Sequence, residues 1–201
     1  MNLVYPEAIE ILINELRKFP GVGKRSAERM ALSLISRSNE ELVALGELIS
    51  TLPQTVSSCP ECGMISQADT ICPLCSRPGR DDSVICVVES STQVIAVENS
   101  GHFNGRYLVL GGKISPLDNQ TEENLNIELL LKKANNGIVK EIILALGGDV
   151  EGRATAIFIN GLLKDSNIKV TTPALGLPAG GNLNFADSAT IGAAFKGRSE
   201  I

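Results

Sequence analysis

The 201-residue sequence predicts an α/β protein: a helical N-terminal region, a small four-cysteine module, a mostly parallel sheet with helices on both faces, and a tail helix. Three observations carry this reading. Apolar residues recur at helical spacing from Ile9 to Leu52. Four cysteines cluster between Cys59 and Cys75. Beyond Asp82, solid apolar runs of strand length alternate with longer helical segments, the texture of parallel strands buried on both sides.

The elements follow in order. Pro6 suits a first helical position, and Ile9, Leu12, Ile13, Leu16 and Phe19 continue that helix. "PGVGKR" interrupts it, and Ala27, Met30, Ala31, Leu34 and Ile35 form a second amphipathic stripe. Ser38 with Glu41 reads as a capping box for a third helix carrying Leu42, Leu45, Ile49 and Leu52, which Pro53 ends. The cysteine module is rich in Pro, Ser and Gly. "SVICVVE", "RYLVLGG", "KEIILAL" and "NIKVTTPA" read as strands, and "STQVIAVENSG", "ENLNIELLLKKANNG" and "ATAIFINGLLKDS" as the helices between them. Gly101 closes the first of those helices. The tail is a Gly-rich loop and a short helix that Asp187 caps. The expected regions are 1–56, 57–79, 80–178 and 179–201, the last a candidate subunit contact.

Bulk properties narrow the function. A net charge of −5 repels nucleic acid overall, so any DNA contact needs a local basic patch. Aromatic residues make up only 3%, which argues against modules that stack bases on rows of rings. "MNLVYPEAIEIL" lacks the basic start of a signal peptide, and no window holds the roughly 18 apolar residues of a membrane span. A cytoplasmic location is expected, where clustered cysteines mean metal or redox chemistry more often than disulfides.

Cys59-x2-Cys62 and Cys72-x2-Cys75 are two knuckles separated by nine residues. Each turn aims two thiolates at one point, and two turns complete the tetrahedron that Zn²⁺ prefers. Four protein ligands leave no open position, so the expected metal is structural. Two disulfides or a redox dithiol are the competing readings. Cys86, inside "VICVV", is expected in the core.

In "LRKFPGVGKRSAERMAL", Gly21 and Gly23 permit a tight turn that leaves free N–H groups at the start of the next helix. Arg17, Lys18, Lys24, Arg25 and Arg29 surround it, and Glu28 is the only acid between Arg17 and Arg29. The stretch is similar to a helix-hairpin-helix, a reader of the DNA backbone rather than its sequence. In the plainer alternative the glycines serve packing and the charges face water.

Ligands of an open parallel sheet gather at the strands' carboxyl ends. Glu89 ends one strand, and Asp149 and Glu151 follow another, so the three could surround a weakly held Mg²⁺ or a protein partner. The arrangement resembles the Toprim fold of primases, topoisomerases and related nucleases, where a D-x-D-x-E-G-E-like element supplies the later acids. Here Gly147 replaces one acid and Arg153 another. A guanidinium there removes a ligand and adds a competing charge. The structural alternative has Asp149 capping the next helix, Glu151 in its first turn, and Arg153 paired with one of them. No G-x-x-x-x-G-K-[ST] is present, and His102, the only histidine, reads as a surface residue beside Gly101.

Taken together, "PGVGKRSAERMA", the four cysteines, "ICVVES", "GRYLVLGGKISPLD", "VEGRATA" and "GLPAGGNLNFAD" resemble the RecR family of bacterial recombination mediators over almost the whole chain. The resemblance implies a non-enzymatic DNA-repair protein. It implies a ring-like tetramer that clamps DNA and works with RecO and RecF to help load RecA onto gapped single strands coated by SSB. It also implies Cys59, Cys62, Cys72 and Cys75 as zinc ligands, and Arg25 and Arg29 as hairpin residues that support DNA binding. Lys24 stands where a proline is common. The family commonly reads N-P-T-x-E-G-E-A-T-A where this chain reads G-G-D-V-E-G-R-A-T-A, so Arg153 alters, and Asp149 partly restores, an acidic cleft thought to receive RecO. Two rival readings belong to other classes. One is a Mg²⁺-dependent Toprim enzyme, nuclease or primase-like, using Glu89, Asp149 and Glu151. The other is a protein-docking zinc module with no DNA role.

Overall fold

The computed structural model describes residues 5–174, 176–177 and 180–198. The chain divides between Thr55 and Val56 into two compact units.

The first unit is helical: α1 (Glu7–Leu16), α2 (Lys24–Ile35) and α3 (Asn39–Thr55). Pro6 occupies the cap of α1, one residue before the expected first turn. Ile13, Ala27 and Ala31 form its buried centre, with Ile9, Leu12, Leu16 and Val22 packed around them. Alanines one helical turn apart let α2 approach α1 closely, which suits a short hairpin. Only that edge of the α2 stripe is covered, since Met30 and Ile35 are exposed, as is Phe19 beyond α1. The capping box forms as expected: Glu41 N–H donates to Ser38 Oγ at 3.3 Å, and Ser38 N–H to Glu41 Oε2 at 3.2 Å. One expectation for α3 needs correction. Pro53 lies inside the helix, which runs on to Thr55. Its missing N–H leaves the Ile49 carbonyl without a helical donor, which is bearable here because Ile49 is exposed and water can reach that carbonyl. None of the α3 residues is buried, and Leu42, Ile49 and Leu52 are exposed.

The second unit begins with β1 (Val56–Ser58) and β2 (Ile65–Gln67), an antiparallel pair around the first knuckle, followed by the single turn α4 (Pro73–Ser76). Then come β3 (Asp81–Val88), α5 (Ser91–Ser100), β4 (Gly105–Val109), α6 (Ile127–Ala134), β5 (Glu141–Leu144), α7 (Val150–Leu162), β6 (Lys169–Thr171) and α8 (Ser188–Lys196). Gly101 closes α5 in the left-handed region, and Asp187 caps α8 through the Ala189 and Thr190 amides. The helix expected from Glu123 starts at Ile127, after a 3₁₀ turn over Glu122–Asn124.

The four long-range strands are parallel, in the order β4-β3-β5-β6. Alternation along β3 divides the core into two layers. Ile85 and Val87 join Leu108, Ile142 and Leu144 beneath Leu130 of α6 and Ile159 of α7. Cys86 and Val88 face the other way, against Val94 of α5, Tyr107 and Val109, with Met64 and Leu74 of the cysteine module packed alongside. Burial pushes the Cys86 thiol up to about 11, as a core position should. The module is therefore part of this unit's second layer. Arg106 of β4 bonds it further, donating through Nη1 to the Leu74 and Cys75 carbonyls at 3.3 and 2.9 Å and through Nε to Asp82 at 2.6 Å. Among the described residues, no helix is long and apolar enough to cross a membrane.

Candidate functional site

Three constellations carry the chemistry expected from the sequence. The first is the hairpin between α1 and α2. Gly21 has φ +77°, a left-handed conformation that glycine adopts without strain. Gly23 is different. It is extended, with φ −78°, it caps α2 with no side-chain hydrogen bond, and a Cβ built on it meets nothing within 4 Å. Glycine is a fair N-cap by itself, and its lack of a side chain also leaves the first-turn amides of α2 open to an approaching ligand. Arg17, Lys18, Lys24, Arg25 and Arg29 are all exposed around this point. Lys18 pairs with Glu15 at 2.7 Å and Lys24 loosely with Glu28 at 3.9 Å. Among the described residues, Arg17, Arg25 and Arg29 make no ion pair, so their charge is free for an anion.

The second is the cysteine cluster. Among the described residues, Cys59, Cys62, Cys72 and Cys75 are the only three or more His, Cys, Asp or Glu side chains whose donor atoms all lie within 4.8 Å of one another. The Cys62 and Cys72 sulfurs are 3.6 Å apart. A tetrahedral zinc site with Zn–S bonds of about 2.3 Å has S···S edges of about 3.8 Å, so the donor set fits Zn²⁺ with little adjustment. The Cys72 N–H donates to Cys59 Sγ at 3.3 Å and the Cys75 N–H to Cys72 Sγ at 3.4 Å, bonds that favour thiolates. Hydrogen bonding from Cys62 chiefly holds Cys75 down at about 6, while the same bond and burial push Cys62 up. No disulfide joins the four.

The third is the acidic cleft at the carboxyl ends of β3, β4 and β5. Glu89 follows β3 and accepts the Gly147 N–H through Oε1. Asp149 caps α7, accepting the Gly152 N–H at 2.8 Å, so α7 begins four residues before the expected Ala154. Glu151 lies in its first turn and borders a polar cleft of about 320 Å³ with Gly111, Gly112, Lys113 and Gln120. The cation of the cleft is Lys113. Its Nζ bonds Asp149 Oδ2 and stands 4.0 Å from Glu89 Oε2. The expected pairing of Arg153 with these acids is corrected accordingly: Arg153 is exposed on α7 and makes no ion pair among the described residues. The i,i+4 spacing from Asp149 would permit that pair, but Arg153 borders a pocket with Leu146, Thr172 and Pro173, while the chain leaving β4 brings Lys113 onto Asp149. Gly111, at φ +89°, turns the chain out of β4 so that Lys113 enters the cleft. Nothing in the local sequence flags Lys113. Its only signal is a place just past the strand that pairs with the one bearing Glu89.

The Lys113 hydrogen bond and the Gly152 amide hold Asp149 below the usual carboxylate range, and Asp149 in turn raises Lys113. A depressed folded-state value means that the pair's contribution is complete above the ordinary value of 3.8 and is lost as pH falls through the lowered one. NMR titration should place the Asp149 midpoint below 3.8 in the native chain and move it back toward that value in Lys113→Met. An unmoved midpoint would mean that the ion pair does not persist in solution.

His102 is exposed beside Gly101, as expected. Comparison with protein families matches residues 9–52 to the RecR helix-hairpin-helix, 83–174 to the Toprim domain and 176–199 to the RecR C-terminal region. The chain is 42% identical to Recombination protein RecR of Thermobifida fusca over 198 residues, covering 98% of this chain and 99% of that one. Recombination protein RecR of Thermosynechococcus vestitus is 41% identical across 100% of this chain and 98% of its own. That of Bifidobacterium adolescentis is 42% identical over the full length of both.

Proposed function

The chain belongs to the RecR family, and on that premise we propose that it is a non-enzymatic, DNA-binding recombination mediator in recombinational repair. In this reading it is a cytoplasmic homotetrameric clamp that acts with RecO and RecF to help load RecA on gapped DNA. The α1–α2 hairpin grips the sugar–phosphate backbone, and Zn²⁺ on Cys59, Cys62, Cys72 and Cys75 stiffens the second unit. The carrying observation is Gly23, an open helix N-terminus without a side chain, in a stretch whose exposed Arg17, Arg25 and Arg29 have no ion-pair partner among the described residues. The uncovered apolar side chains of α3 support assembly of several copies, which would let hairpins that are individually weak act together.

End-labelled gapped DNA incubated with the protein and Mg²⁺, then run on native and denaturing gels, tests the reading. A shifted band with chemically intact strands supports the clamp. Cut or extended strands that disappear with Glu89→Gln would overturn it in favour of a Toprim enzyme. Gly23→Ala separates ligand contact from folding. The added Cβ meets nothing within 4 Å, so its melting temperature should fall only by the about 2–4 °C that a poorer N-cap costs, while DNA affinity falls about tenfold. Unchanged affinity would remove the helix N-terminus from the interface.

A further inference from the structure

The Toprim domain implies a divalent cation held by carboxylates, and the cleft of this chain does not fit one. The acid expected first in the D-x-D pair is Gly147, and the final acid is Arg153. A Cβ at Gly147 would stand 3.0 Å from Glu89 Oε1, so a longer side chain there would crowd the carboxylate it should assist. Glu89 spends Oε1 on the Gly147 amide, and Asp149 spends Oδ1 on the Gly152 amide. The remaining oxygens, Glu89 Oε2 and Asp149 Oδ2, both face Lys113 Nζ.

We infer that the Lys113 ammonium is the resident cation of this cleft, standing where a Toprim enzyme holds its metal, so that its acids are partly offset and braced without Mg²⁺. This rests on the non-enzymatic reading above and deepens it. The chain supplies its own positive charge from the end of β4, joining the β3 end (Glu89) to the α7 cap (Asp149). Asp149 is half exposed, so water screens its contact with Lys113 much as at a surface pair, yet a divalent ion would still have to displace a tethered charge already in place. The cleft therefore presents the same charge to DNA or to a protein partner whatever the Mg²⁺ concentration. The design also accounts for tolerance of Arg153: with no metal to repel, a guanidinium one turn along α7 carries no penalty.

The test uses the full-length, zinc-loaded chain and Mn²⁺ as the probe, followed by electron paramagnetic resonance. The native protein should show no Mn²⁺ binding that depends on Glu89. Lys113→Met should bind one Mn²⁺ at least about tenfold more tightly than the native chain, the scale expected for removing one unit charge a few ångströms away at a partly exposed site. Lys113→Met with Glu89→Gln should lose it again. Lys113→Gln provides a second variant that keeps a polar side chain in place. On the native chain alone, amide spectra with Mn²⁺ should show no selective broadening at Gly147 or Gly152. Glu89-dependent binding or selective broadening in the native chain would overturn the inference. So would folded Lys113 variants that gain no affinity, since the lysine would then not be holding a metal's place. DNA gel shifts run in parallel keep the two readings distinguishable: loss of DNA binding by the native chain would sink the clamp, while the Mn²⁺ result would still decide Lys113.

Discussion

Keeping a metal from the four-cysteine centre is expected to lower the melting temperature by about 10 °C or more and to loosen the two knuckles around Cys59–Cys62 and Cys72–Cys75. The size of the effect follows from what that segment lacks. Its strands are three residues each, its helix is a single turn, and its buried residues are chiefly the ligands themselves, with Cys59, Cys62 and Cys72 at most 1% exposed. A module with so little apolar burial would depend on the proposed Zn²⁺ for its cross-link, and structural zinc supplies about 10–16 kcal/mol in isolated peptides. The contribution here is smaller than that limit, because Met64 and Leu74 keep packing against the sheet and Arg106 still holds the Leu74 and Cys75 carbonyls. In a chain of this size each kcal/mol moves the melting temperature by about 2–4 °C. Calorimetry with zinc release followed by a chromogenic chelator checks the expectation, and Cys62→Ser and Cys72→Ser should reproduce it without chelator. A metal-free chain that melts at the same temperature would make the cluster dispensable for folding.

The second large effect concerns the hairpin. Arg25→Ala combined with Arg29→Ala is expected to weaken binding to gapped DNA by about 10–100-fold at moderate salt and to flatten the dependence of log affinity on log salt by about 1–2 units. Both side chains are exposed and make no ion pair among the described residues, so the fold should lose nothing beyond the few tenths of a kcal/mol usual for surface changes. The salt slope is the decisive readout. A contact to phosphate releases counterions, so its loss changes the slope, whereas a general loss of structure would lower affinity and melting temperature together. Unchanged affinity and slope would show that the basic patch only faces water. In an acidic protein, that would leave no described feature able to attract a polyanion.

Much of the architecture was legible because it rests on local rules. Ser38 with Glu41, Gly101, and Asp149 and Asp187 at helix starts are caps whose geometry spans one turn, and all form. The cysteine spacing likewise fixes its own geometry. The misses have non-local causes. β1 and β2 carry no strand pattern and exist because the first knuckle brings their ends together. The apolar stripe of α3 is a correct helical signal, but periodicity shows which face is apolar without showing what covers it. Lys113 was passed over because its partner lies 36 residues away, and only the strand order β4-β3-β5 brings them together. Arg153 was assigned the pairing because it was the nearest cation in sequence, and proximity along a helix is a poor guide to what meets a strand end.

The strand order also sets a sequence of events during synthesis. β3 is the first strand of its sheet to emerge, and it becomes a central one, pairing with β4 on one side and β5 on the other. β4 follows after only α5 and two short connections, so the β3–β4 pair and the adjoining knuckles close over short chain distances, with little loop entropy to overcome. β5 and β6 must wait for α6 and α7, and β6 contributes just the registers at Lys169, Val170 and Thr171. On this order the sheet would grow from its β4 edge toward β6 as the ribosome releases it, with the acidic cleft completed only when β5 and α7 arrive. A nascent chain halted before Leu144 would carry a finished knuckle and half a sheet, its Ile85 and Val87 layer open to whatever holds emerging polypeptides in solution.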